Sequence, residues 1–343
     1  MIQKLKLSFF SCFFLSIGLC FSLQPIFWEI HNIAWMTVVV SFGIIPLLDL
    51  LIGRGLSPNL SCFGRFSIWV PRIYGVIHFI VLFFYLFKAN NYGFYEMPIL
   101  GLALGTISGA VGITVAHELM HRKNTADKNL AKLILCSVCY GHFFIEHIRG
   151  HHSRVATIYD PATAKKNQSL YSFLIQSILG SIIHAWKLEK RRLNSKNSFK
   201  FILKNEVIFL HFLTGIFIFL VFYFFGLNGV FLFVIQSFIA VILLEAINYI
   251  EHYGLLRKKR QNETYVPVDV IHSWNSNHLA SNWILLQLPW HSDHHKNVGK
   301  PFNQLKSIKN APQLPYGYPT MIVIAFFPFI FFSLMNSVLN QNK

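Results

Sequence analysis

Charge is scarce in this chain, and negative charge is scarcest. Only 14 of its 343 residues are Asp or Glu, and charged residues of both signs make up 13%, against about 25% in an ordinary soluble domain. Hydrophobic residues make up 54%. They gather in long runs instead of alternating as in half-buried strands, which excludes a soluble domain with a large core and points to a membrane protein. Cysteine is also sparse: Cys12, Cys20, Cys62, Cys136 and Cys139 form no disulfide framework. Cys136 and Cys139 have C-x-x-C spacing, but no second such pair exists to complete a four-thiolate iron site, so both read as buried thiols. Lys4 and Lys6 precede an apolar run from Leu7 to Leu23 with no small-x-small cleavage site, so this run reads as a retained span.

What is present is apolar length. Six runs are each long enough to cross a bilayer as a helix of about 20 residues: 7–27, 31–52, 68–88, 95–116, 207–226 and 229–250. They pair through the short turns at 24–29, 89–93 and 226–229. All should be helical, because hydrocarbon leaves no water to satisfy an irregular backbone. A last stretch, 318–335, is interrupted by Pro319 and Pro328 and reads as interfacial or re-entrant.

The formal net charge is +16, and its location excludes nucleic acid as its cause. The segment 117–206 carries 15 of the 30 Lys and Arg, and the segment after the sixth run carries nine. Lys4, Lys6, Arg54, Arg65 and Arg72 fall at the same face, with Lys88 alone opposite. That is positive-inside bias, with both termini and both large loops cytoplasmic. The expected architecture is an all-α integral membrane protein of one domain, 1–343. Six transmembrane helices lie under a cytoplasmic histidine-rich cap built from 117–206 and 251–317.

Nine of the 16 histidines cluster. His117 and His121 are four apart, hence on one helical face. His147, His151 and His152 repeat that spacing and add a neighbour. His291, His294 and His295 supply i, i+3 and i+4, and His252 follows the sixth run. All nine fall at the expected cytoplasmic side. Imidazole is the common ligand for Zn, Fe, Cu and Ni. Nine exceed what one six-coordinate ion can use, so two ions are the economical reading, and an all-imidazole set suits iron or copper chemistry with O2. His31, His78, His142, His184, His211 and His278 are isolated and read as hydrogen-bonded structural groups. His272 lies in His272-Ser273-Trp274-Asn275-Ser276-Asn277, as ligand or as support. Glu118, Glu146, Asp160, Glu251 and Asp293 lie beside the candidates and could orient their imidazoles. The competing reading is a zinc metalloprotease, since His117-Glu118-Leu119-Met120-His121 matches H-E-x-x-H. It leaves most of the clustered histidines without a role.

These stretches resemble the membrane alkane 1-monooxygenases, a branch of the fatty acid desaturase and hydroxylase superfamily. His117 to His121 resembles the first histidine box and Gly141 to Ala164 the second. Asn248 to Leu256 (NYIEHYGLL) is similar to a stretch that plain desaturases lack. His272 to Asn282 and His291 to His295 (HSDHH) resemble the third region. Pro46 to Asp49 and Leu314 to Pro319 extend the likeness to roughly residues 40–325. The resemblance implies a desaturase-like fold in the bacterial inner membrane and a di-iron centre held by those nine histidines. It also implies hydroxylation of the terminal methyl of medium- or long-chain alkanes with O2. Electrons would come from rubredoxin and its NADH-dependent reductase, and the substrate from the bilayer. Alkylbenzene side chains and fatty acyl hydroxylation, desaturation or decarboxylation are the alternatives. A tunnel is expected between the second, third, fourth and sixth spans, with small Ser41 at a position where bulk would block it. One departure stands out: Leu288-Pro289-Trp290 precedes His291, where the family usually carries Leu-Gln-Arg.

Overall fold

A computed structural model describes the backbone of residues 2–55, 68–194 and 198–341 and, in the first helix, side chains from Ser16 onward. The side chains of Lys4, Lys6, Cys12, Cys62 and Arg65 lie outside this range. The regular elements among the described residues are all helices, with three isolated β-bridges and no strand.

Five apolar helices carry most of the helical length. They are α1 (Ile2–Ile30), α2 (Met36–Ile52), α3 (Trp69–Lys88), α4 (Met97–Met120) and α5 (Glu206–His252). Three apolar stretches, Trp69–Asn91, Met97–Met120 and Glu206–His252, are long and apolar enough to cross a membrane. The last of them is two helices. Gly226 has φ +66° and ψ −162°, outside the helical region and open to glycine at little cost. Leu210 O contacts Cys136 Sγ at 3.5 Å, and Gln236 Nε2 donates to the neighbouring Ser137 O at 2.8 Å. On a continuous helix residues 210 and 236 would lie ~39 Å apart, at ~1.5 Å per residue. The chain therefore doubles back at Gly226, where the sequence placed the turn between its fifth and sixth spans.

The second half of α5 packs on α4 through a glycine stripe. A Cβ at Gly105 would lie 2.8 Å from Gln236 O, and one at Gly109 3.1 Å from Ala240 O. Gly101 faces Ile235 in the same row. Small residues four apart let two backbones approach where lipid supplies no hydrophobic drive. The stripe was present in the sequence and its spacing is the signal that finds it. Behind α4, Gly75 of α3 meets Leu130 and Ile134 of a helix spanning Thr125–Cys136. That helix is capped by Asn124, whose side chain accepts from Ala126 N.

The loop segment between α4 and α5 is itself helical. Besides Thr125–Cys136 it contains a turn-rich helix over 143–154 and a 24-residue helix, Leu170–Leu193. The C-terminal stretch is broken into Tyr318–Ala325 and Pro328–Gln341, of 8 and 14 residues. Neither piece alone reaches the ~17 residues needed to cross.

Candidate metal centre

The nine clustered histidines meet at one end of the bundle. His117 and His121 come from the C-terminal end of α4, and His147, His151 and His152 from the 143–154 helix. His252 is the last residue of α5. His291, His294 and His295 come from a six-residue helix, His291–Lys296. They fall into two groups whose candidate ligand atoms lie within 4.8 Å of one another: His117, His121, His147, His152 and His294, and then His151, His252, His291 and His295. Eight are buried and His121 is half-buried.

The grouping corrects the simple helical expectation. Four-residue spacing should put His147 and His151 on one ion. Instead residues Glu146–His151 form a π turn, whose i→i+5 bonding aligns His147 with His152. Their Nε2 atoms are 3.0 Å apart, and His151 is sent to the other group. Within His291–Lys296 the α spacing holds: His291 and His295 share a group with Nε2 atoms 2.9 Å apart, while His294 joins the first group, 3.2 Å from His152.

The donor atoms fit metal ions better than hydrogen bonds. Nε2 of His152 faces Nε2 of His121, His147 and His294 at 3.0–3.2 Å, and His117 Nε2 has no hydrogen-bond partner. A neutral imidazole donates one proton at most, so such a ring of facing nitrogens cannot be satisfied internally. Two ligands at right angles on an ion with ~2.1 Å bonds are ~3.0 Å apart, which matches these separations. Burial also holds the rings in the neutral, ligating form. His147, His152, His291, His294 and His295 all titrate well below the usual value. Desolvation is the main cause, and the neighbouring imidazoles add to it. His151 is the exception. Burial disfavours its cation, but Asp160, Glu146 and Glu245 together outweigh that and push its pKa up.

The carboxylates divide by partner. Asp160 lies 3.1 Å from His151 Nδ1, and Glu251 lies 3.2 Å from His291 Nε2 with Tyr318 donating to its other oxygen at 2.8 Å. Glu146 binds His184 Nδ1 at 3.0 Å rather than one of the nine. Glu118 accepts from Arg122 and from Phe302 N, and Asp293 from Lys300, Asn297 and Lys306 N. Glu118 and Asp293 are thus engaged in locking the chain and do not orient an imidazole. Among the described residues no Lys or Arg forms an ion pair with Glu146, Asp160, Glu245 or Glu251.

His272 joins neither group. Its Nδ1 accepts from Asp269 N at 2.9 Å, and its segment acts as a brace. Trp274 N and Nε1 donate to Glu251 O and Tyr253 O, both at 2.8 Å. Asn275 Oδ1 accepts from Ser292 N, and Ser273 O from Ser292 Oγ, which fixes the start of the His291 helix. Leu288-Pro289-Trp290 belongs to this brace. Pro289 O accepts from Ser276 N at 2.9 Å, and the buried Trp290 donates to Asn277 Oδ1 at 3.1 Å. The isolated histidines stay outside both groups: His31, His78, His142, His184, His211 and His278 bond Phe27 O, Ser137, Ser181, Glu146, Val207 O and Ser276 respectively.

Two cavities adjoin, and one of them reaches the centre. The first is walled by apolar side chains including Phe21, Ile45, Leu243 and Ile247, with Ser41 and Tyr318. The second is lined by Ile247, Asn248, Leu288 and Glu251 and reaches His117, His147 and His291. Ile247 belongs to both walls. Ser41 sits in a second π turn, Val40–Ile44, its hydroxyl donating to Thr37 O at 2.8 Å. The first helix contributes Phe21 where the third span was expected. α3 is turned away, packed against Thr125–Cys136, and lines neither cavity.

The fatty acid desaturase family matches residues 94–325. An alkane 1-monooxygenase 1 of Alcanivorax borkumensis is 39% identical over 311 residues, covering 88% of this chain and 76% of the relative. An alkane 1-monooxygenase 2 of Pseudomonas aeruginosa is 36% identical over 316 residues, covering 88% and 83%. The xylene/toluene monooxygenase hydroxylase component of Pseudomonas putida is 31% identical over 220 residues, covering 62% and 57%.

Proposed function

This chain belongs to the alkane 1-monooxygenases within the fatty acid desaturase family, and from that premise we propose that its nine histidines hold two iron ions for hydroxylation of a terminal alkyl carbon. His117, His121, His147, His152 and His294 hold one ion, and His151, His252, His291 and His295 the other. The observation that carries the reading is the convergence of buried Nε2 atoms at cis-ligand distances, without protons enough to bond one another. When bound, the irons supply activation of O2 for inserting one oxygen atom into a C–H bond.

The chain's own residues do the rest. Asp160 fixes the ring of His151 through Nδ1, leaving Nε2 for the ion. The cavity behind Ser41 receives the alkyl chain, and the adjoining space past Ile247 presents its end to His117, His147 and His291. Apolar walls keep bulk water from the reacting carbon. The substrate enters from the bilayer. Six spans support this arrangement: α1, α2, α3, α4 and the two halves of α5, with both loops and both termini on the cytoplasmic side of the cell membrane. The basic cytoplasmic face suits a small acidic electron carrier, rubredoxin, reduced by an NADH-dependent reductase.

The likeness to the xylene/toluene enzyme component supports a second substrate class, methyl groups on an aromatic ring. The test is metal and product analysis together. Purified protein should carry about two irons per chain. Cells expressing it with a rubredoxin should convert octane or hexadecane to the 1-alkanol. Zinc without iron overturns the metal reading. Oxidation of xylene with no alkanol overturns the alkane reading and leaves the metal reading standing.

A further inference from the structure

Hydroxylation by O2 consumes protons as well as electrons: R–CH3 + O2 + 2 e⁻ + 2 H⁺ → R–CH2OH + H2O. The cavity that reaches His117, His147 and His291 is lined largely by buried side chains, so these protons need a route through the protein. A buried acid that takes no part in holding the histidines offers one. Glu245 lies in the second half of α5, about two turns before His252, and only 1% of its surface is exposed. All of its hydrogen-bond partners are neutral. Tyr140 Oη donates to Oε1 at 2.6 Å, Asn248 Nδ2 donates to Oε2 at 3.1 Å, and the Ser177 hydroxyl donates as well. Its further charged neighbours are His151 and Glu146. Burying a carboxyl group among neutral donors costs stability that an apolar side chain of similar size would not. A purely structural account therefore explains it poorly.

The partners of Glu245 continue in both directions. Inward, Asn248 lines the cavity that reaches His117, His147 and His291. Its Nδ2 is committed to the carboxylate, so Oδ1 is left to accept from a water or hydroxyl there. Outward, Tyr140 Oη is 3.1 Å from Ser181 Oγ, and Ser181 Oγ is 3.1 Å from His142 Nε2. The His142 ring stacks at 5.9 Å on His211, which is exposed near the loop end of α5. Hydrogen-bonding groups thus run from His142 through Ser181, Tyr140 and Glu245 to Asn248 at the cavity wall, and ring stacking on His211 continues the line outward from His142.

We propose that Glu245 is the proton-delivery residue of the metal cavity, fed through His142, Ser181 and Tyr140. The proposal rests on the hydroxylase reading. In each passage the Tyr140 proton moves to Glu245, Tyr140 takes one from Ser181, and Ser181 takes one from His142. The Glu245 carboxyl releases its proton to water beside Asn248, and His142 is reprotonated from outside. No bond other than O–H and N–H changes, and the electrons arrive separately from the one-electron carrier.

Glu245→Gln keeps the shape and the acceptor for Tyr140. It should retain iron, lose roughly a hundredfold in alkanol formation, and consume more reductant per alkanol formed. Glu245→Asp should recover part of the loss. Ser181→Ala cuts the chain two groups away and should uncouple in the same sense. Independently of turnover, the infrared band that Glu245→Gln removes should shift rapidly in D2O in the iron-free protein, and slowly once Ser181→Ala is added. Fully coupled turnover in Glu245→Gln overturns the proposal. So does loss of iron in both Glu245→Gln and Ser181→Ala, since that marks the network as structural. A wild-type protein that forms no alkanol defeats the hydroxylase reading instead, while the D2O exchange still decides whether the path carries protons.

Discussion

His294 and Asp160 occupy different positions around the same centre, and their substitution should separate binding a metal from orienting a ligand. His294 contributes its Nε2 to the five-histidine group, 3.2 Å from that of His152. His294→Ala deletes one of five donors and leaves a buried gap. Iron should fall from about two per chain toward one, with activity lost in parallel, as read by metal analysis and alkanol formation. Retained turnover would refute the assignment. Asp160 touches Nδ1 of His151, with Thr163 Oγ1 donating to the same carboxylate oxygen at 2.6 Å. Asp160→Asn keeps the size but removes the charge. Affinity at the four-histidine group or activity should drop by about 10- to 100-fold, with the five-histidine group still filled. These roles were unequally visible in the sequence. The nine histidines stood out by spacing, but which acid serves which ring did not. Glu118 sits inside a histidine box yet turns to Arg122 and Phe302 N, whereas Asp160, eight residues beyond His152, reaches back to His151. Hydrogen-bond partners separated by a loop leave no periodic trace.

At the scale of elements, winding decides more than sequence spacing does. Among the described residues three π turns occur, at Val40–Ile44, Ser108–Ile113 and Glu146–His151. Each lies where a cavity or a histidine group needs a side chain re-aimed. The sequence gives no period for them, because a π turn is imposed by what the helix packs against. That is why His147 pairs with His152 and not with His151. The packing of α4 on α5 was legible in principle, through glycines at 101, 105 and 109. Gly105→Ile would drive a branched side chain into Gln236 O and Ile239. Overpacking of that kind costs about 1–3 kcal/mol, and here it also pushes apart the helices that carry His117 and His252. The unfolding temperature in detergent should fall and iron should be lost with it. Gly215→Ala, where a Cβ meets nothing within 4 Å, should leave both unchanged. An equal effect of the two would show that the stripe is not a close-packed seam.

At the scale of the whole molecule, the apolar runs and the basic loops outlined a bundle with a histidine-bearing end. The Gly226 reversal falls at the turn expected between the fifth and sixth runs. The helices within 117–206 and the turning of α3 away from the cavities were hidden, because mixed composition and mutual packing carry no hydropathy signal. The same limit applied to the route for substrate. Ser41 was picked out as a small residue, and its neighbours across the cavity, Phe21, Leu285 and Ile322, come from segments far apart in the chain. A side chain enlarged at 41 projects into that space, which shares Ile247 with the cavity that reaches the histidines. Ser41→Trp should therefore fill the outer cavity without touching the metal groups. Iron content should stay the same, turnover of octane should be reduced several-fold at most, and turnover of hexadecane should be abolished, as read by gas chromatography of the alkanols from a mixed feed. A uniform fall across chain lengths would mean that Trp disturbs α2 as a helix. An unchanged profile would mean that the chain enters by another path, in which case Ile247→Phe should still block it at the threshold both cavities share.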